Sequence, residues 1–161
     1  MYLLDSNALI TAKNLYYRFE NVPGFWEWIR RGHESGVVGS IRQVREELLG
    51  GADELANWVT QLDQTFFLDE TDDVVESLRL VAAWVQTQGY EQSAVAQFLS
   101  VADYFLVAAA HAGGHSVVSL ETPSTGRARV KVPDVCAAFG VPCVRTFDML
   151  REQNVRLVLA S

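Results

Sequence analysis

The sequence predicts an α/β fold, a mostly parallel sheet of about five short strands with helices covering both faces. Three observations carry that prediction. Short apolar runs recur along the chain, bounded by Gly, Ser, Asp or Pro, and helices of that length would be marginal. The segments between them place apolar residues at helical spacing. Strand and helix therefore alternate, the order from which parallel sheets are built. With 161 residues, 49% of them hydrophobic, residues 1–161 form one domain around one core.

Residues 2–4 are the first strand, running directly into Asp5, Ser6 and Asn7. Ser6 or Asn7 can cap a helix over residues 8–15. Pro23 and Gly24 interrupt the chain before a helix at 25–33, and residues 37–39 form the second strand. Helices at 43–49 and 54–62 lead to a strand at 66–68. Helices at 72–87, 92–99 and 103–112 follow, the last ended by Gly113 and Gly114. A strand at 117–119, a helix at 134–139, a strand at 143–144 and a helix at 147–152 complete the order.

Charge and composition exclude some functions. A net charge of −7 is wrong for a general nucleic-acid coat, which needs an excess of Lys and Arg. Between Glu46 and Leu78 there are ten acids and no Lys or Arg, the pattern of a solvated helical surface. Basic residues gather at 13–45 and 127–131, so phosphate contacts must come from there. Cys136 and Cys143 read as buried thiols, with neither a zinc site nor a disulfide framework indicated. The longest uncharged apolar stretch, 104–110, is far short of the roughly 20 residues that span a bilayer. A cytoplasmic protein with no membrane partner is expected.

In open parallel sheets, ligands sit beyond the carboxyl ends of the strands at a topological switch point. Asp5 lies there, and so does Glu121 after the fourth strand. Asp103 opens a helix, and Glu46 and Glu47 are adjacent on another, facing different directions. Spacing leaves open which of that pair faces the cleft. Four converging carboxylates would raise one another's pKa unless a divalent cation reversed the balance. Mg²⁺ suits such a site, with its preference for hard oxygen ligands and retained waters. Each acid also has a structural reading: Asp5 as a helix cap, and Asp103 as a partner for its own helix dipole.

The stretches LLDSN, EELLGG, ADYFLVAAAHAGG and VVSLE resemble the PIN-domain family of small metal-dependent ribonucleases, which includes VapC-type toxins. More closely, MYLLDSN, AKNLYY, PGFWEW, GADELANW and KVPDVC resemble a PIN-like branch known mainly as uncharacterised sequences. The resemblance implies a PIN-like three-layer sandwich. It also implies an endoribonuclease, the toxin of a bacterial toxin–antitoxin pair, that hydrolyses RNA with a water activated by Mg²⁺ or Mn²⁺. Asp5, Glu47 and Asp103 would be the metal-binding and catalytic acids, with Ser6 and Asn7 holding Asp5 or a metal-bound water. Glu121 stands where common members carry an aspartate. An antitoxin protein and a homodimer are further expectations of the family.

Arg127, Arg129 and Lys131 alternate with Ala128 and Val130. An extended segment would point the three cations to one side, either along a single-stranded RNA backbone or as the charged guard of an edge strand. Lys13, Arg42 and Arg45 are further basic candidates near the cleft. Tyr16, Tyr17, Trp26 and Trp28 suggest base stacking, but Trp26 and Trp28 cannot share one helix face, so at least one belongs to a core or interface. His33, His111 and His115 show no ligand spacing and read as surface or loop residues. A phosphatase would need a second aspartate at Asn7. A PIN-like module that binds RNA or protein without cutting is the competing function.

Overall fold

The computed structural model describes residues 1–159. Its centre is a five-stranded sheet of β1 (Tyr2–Leu4), β2 (Val38–Ile41), β3 (Phe67–Leu68), β4 (Ser116–Val118) and β5 (Cys143–Val144), in the order β3-β2-β1-β4-β5. Every pairing is parallel, with Leu3 opposite Gly39 on one side and Val117 on the other. Parallel strands need helical crossovers. These are α1 (Ser6–Thr11), α2 (Pro23–Glu34), α3 (Arg42–Gly50), α4 (Glu54–Gln61), α5 (Asp72–Thr87), α6 (Gln92–Leu99), α7 (Ala102–Gly113) and α8 (Val132–Ala138), with α9 (Thr146–Glu152) after the last strand. The result is a three-layer α/β sandwich.

The strands are short, and the three central ones are largely enclosed. Leu3, Val38, Val117 and Val118 have no exposed surface, and side chains of this kind each contribute about 1.5–3 kcal/mol on burial. Gly32 on α2 allows the helix to lie close to β2, since a Cβ there would stand 3.0 Å from Val38 Cγ2. Crossovers carry the chain from β1 through β2 to β3 in one direction, then back across to β4 and β5. The direction reverses between β1 and β4. Asp5 follows one of these strands and Ser119 the other.

Several expectations change at this level. Asp5, not Ser6 or Asn7, caps α1, accepting from the Ala8 amide at 2.5 Å. The helix then widens into a π-helical turn, Ala12–Tyr16, rather than running straight through 8–15. The third strand is shortened because Gln64–Phe66 is a 3₁₀ turn, and α8 begins at Val132 because Pro133 suits a first helical turn. Arg127 to Lys131 is not a strand. The segment bends at Arg127 and Ala128, and its backbone pairs with no strand. Among the described residues, no single helix is long and apolar enough to cross a membrane; α6 and α7 together pass on composition but are bent by 68°.

Candidate active site

Asp5 is the most deeply placed acid. Its backbone amide continues the β1–β4 ladder, donating to Val118 O at 3.1 Å, so the side chain stands at the reversal point of the sheet. Only 1% of the residue is exposed. Oδ1 is used by the α1 cap, while Oδ2 is buried without a hydrogen-bond partner. Burial is the main reason its carboxyl titrates at about 7, aided by the charges of Asp103 and Glu121; Ser119 and the Ala8 amide pull the other way. A carboxylate with one free oxygen in a dry site is costly unless a cation or proton meets it.

Asp103 lies in the first turn of α7 and is held there by α3. Glu47 Oε1 accepts the Ala102 amide at 3.1 Å, satisfying an orphan donor of the helix start, while Ser6 Oγ donates to Glu47 Oε2 at 2.5 Å. One glutamate therefore ties together the beginnings of α1 and α7. This answers the Glu46 or Glu47 question geometrically, since Glu46 lines a separate cavity with Arg42 and Arg45. Burial pushes the Asp103 carboxyl up to about 6; Glu121 and Glu47 add to the rise, and Arg129 and Lys131 oppose it.

Glu121 approaches from beyond β4. Its amide donates to Ser119 Oγ at 3.3 Å, its Oε2 accepts the Val132 amide at 2.8 Å, and its Oε1 faces Lys131 Nζ at 3.7 Å and Arg129 Nη2 at 3.8 Å. A cavity of about 360 Å³ opens beside it, lined by Ser119, Pro133, Cys143 and Arg145 among others. Ser119 was not singled out from sequence. Its signal was available: a polar residue ends the apolar run VVS just as Asp5 ends YLL, and it is equally buried.

The four acids thus gather at one end of the sheet: Asp103 and Glu121 lie close enough to act on Asp5, and Glu121 and Glu47 on Asp103. Among the described residues, however, no three His, Cys, Asp or Glu side chains form a ready-made metal-binding group. The donor chemistry still fits a hard divalent cation, because Asp5 keeps a buried, unpartnered oxygen and Asp103 stands beside it in charge. Asp5 and Asp103 are the acids free to take a cation directly. Glu47 and Glu121 are committed to protein donors.

The remaining candidates divide. Ser6 is buried and serves Glu47, whereas Asn7 is exposed on the first turn of α1. Arg129 and Lys131 reach the cleft, but the Arg127 guanidinium lies beside Gly89, with the Arg127 carbonyl accepting the Glu91 amide. Lys13 is paired with Asp53 at 2.5 Å, and Arg42 with Asp69. Trp26 is core, 3% exposed, donating to Tyr17 O at 2.6 Å. Tyr16 remains exposed, edge-on to Phe147. His111 is half-buried and bonded to Ser77, not a loop residue. Cys136 and Cys143 are free and neighbour one another across α8 and β5; the Cys136 thiol holds Cys143 below the usual thiol range and is itself pushed up.

A family model described as "Domain of unknown function (DUF4411)" matches residues 2–157. Neither a curated protein nor a solved structure matches the chain.

Proposed function

We propose that this chain, which belongs to the DUF4411 family, is a metal-dependent endoribonuclease. The observation that carries the reading is the unpartnered, buried Oδ2 of Asp5 at the sheet's reversal point, beside Asp103. Such an oxygen is wasted in a scaffold and useful in a cation site. A bound Mg²⁺ or Mn²⁺ would supply Lewis acidity and lower the pKa of water for attack on a phosphodiester.

The chain's own residues do the rest. Asp5 and Asp103 would hold the cation, and Glu47 fixes where Asp103 stands by capping α7. Ser6 locks Glu47, and the Ser119 hydroxyl receives the Glu121 amide beside Asp5. Arg129, largely exposed, offers a phosphate contact at the mouth of the cleft. Together with the PIN-like motifs, this reading makes the chain the toxin of a bacterial toxin–antitoxin pair, acting in the cytoplasm as a homodimer held in check by an antitoxin protein.

The decisive experiment is cleavage of a labelled single-stranded RNA pool by wild type and Asp103→Asn, with Mn²⁺, Mg²⁺ or a chelator. Cutting that needs metal and disappears in the variant supports the reading. Equal cutting by both proteins overturns it. A second reading, a module that binds RNA or protein without cutting, draws on one observation: Glu47 and Glu121 are both committed to protein donors. Absence of cutting together with absence of Mn²⁺ binding would favour it.

A further inference from the structure

We propose that Lys131 is a fixed cation of the acidic cleft, occupying with its ammonium group the place beside Glu121 that a second metal ion would need, so that the site takes one divalent ion. The inference rests on the metal-dependent reading above and deepens it.

Both oxygens of Glu121 are already engaged. Oε2 accepts the Val132 amide at 2.8 Å, and Oε1 faces Lys131 Nζ at 3.7 Å. The Glu121 side chain is 12% exposed and that of Lys131 is 23% exposed, so water screens this pair weakly. Arg129 also faces Oε1, at 3.8 Å, but with 62% of its side chain exposed its charge is diluted by solvent.

Lys131 cannot easily leave. It lies between Val130 and Val132, both buried in the core, and its carbonyl accepts the Asp134 and Val135 amides at 3.1 and 3.3 Å as α8 begins. Its backbone is thus anchored on both sides. A divalent ion at Glu121 would have to displace the Val132 amide or stand against a positive charge a few ångströms away. Asp5 is the opposite case, with Oδ2 free and no cation paired to it. The cleft therefore offers one position for a cation from outside, at Asp5 and Asp103, and one filled by the protein.

The test is the number of Mn²⁺ ions bound per chain, read from the electron paramagnetic resonance of free Mn²⁺ in equilibrium titrations of the full chain. Wild type and Lys131→Arg should bind one ion. Lys131→Met and Lys131→Gln, each checked for folding by its thermal midpoint, should bind two, because removing the ammonium vacates the place beside Glu121. Two ions in wild type, or one in a folded Lys131→Met or Lys131→Gln protein, overturns the inference while leaving a metal-dependent nuclease intact. No Mn²⁺ bound by any of the four proteins overturns both.

Discussion

The carboxylate of Glu47 on α3 accepts the backbone amide of Ala102 at the start of α7, 3.1 Å away, and thereby sets the position of Asp103 one residue later. Replacing Glu47 by Ala leaves that amide and the Ser6 hydroxyl without partners. The expected loss is about 1–3 kcal/mol of stability in urea denaturation. Glu47→Gln keeps an acceptor for Ala102 and should retain most of the stability. It also removes a negative charge near Asp103, so the Asp103 carboxyl should titrate closer to its ordinary range, measurable by NMR.

Asp5 makes the metal-free protein sensitive to pH. In the folded chain its carboxyl titrates at about 7, against an ordinary 3.8, and Asp103 at about 6. Between those limits the folded chain binds protons that the unfolded chain does not. Their contribution to stability is therefore full below about pH 4 and is lost as the pH rises through 6 to 7. The pairing of Asp53 with Lys13 acts in the opposite sense, but only in acid, where Asp53 protonates. Asp5→Asn retains an oxygen for the Ala8 amide and removes the buried charge. In chelator at pH 7.5 it should melt several degrees above wild type, at roughly 2–4 °C per kcal/mol for a chain of this size. The difference should shrink towards pH 5.

A divalent cation should reverse that order. Ligand at 100 times its Kd stabilises a folded chain by about 2.7 kcal/mol. Mn²⁺ at saturation is expected to raise the midpoint of wild type by several degrees and to leave Asp5→Asn unchanged. Calorimetric scans with and without Mn²⁺ check this.

Arg129 and Arg127 should behave differently towards RNA, although they are two residues apart. Arg129 faces Glu121 at the cleft, while Arg127 lies against Gly89 in the turn between α5 and α6. With a catalytically silent Asp103→Asn background, Arg129→Ala should lower the slope of log K against log salt by about 0.7, one phosphate contact on a single strand. Arg127→Ala should leave the slope unchanged. Filter binding across a salt series measures both.

How much of this was legible in the sequence depends on whether local or distant partners decide the conformation. The two helices at Asp72–Thr87 and Gln92–Leu99 stand where periodicity and flanking polar residues put them, because both signals are local. The alternation in 127–131 holds only at its end, since Ala128 is exposed like the arginines beside it. Val130 and Val132 do turn inward and Lys131 does not, yet no strand lies alongside, so the extended chain becomes a loop seated on the core. Sequence likewise held no sign that Ala12–Tyr16 would widen into a π-helical turn. At the site, Asp5 and Asp103 were visible from position alone. The commitments of Glu47 and Glu121 were not, since Ala102 and Val132 engage them through backbone amides, which every residue but proline carries.

The reversal of the sheet between β1 and β4 also governs when the cleft can exist. Leu4 pairs with Val118, and Asp5 is tied to the same residue, so β1 waits for a strand far along the chain before it has a neighbour on that side. Such distant pairings form slowly, and a half-made chain emerging from a ribosome holds its first strand without its central partner. The acids then lie scattered along an open coil. The cleft they form is complete only when Val118, Glu121 and Lys131 have been delivered.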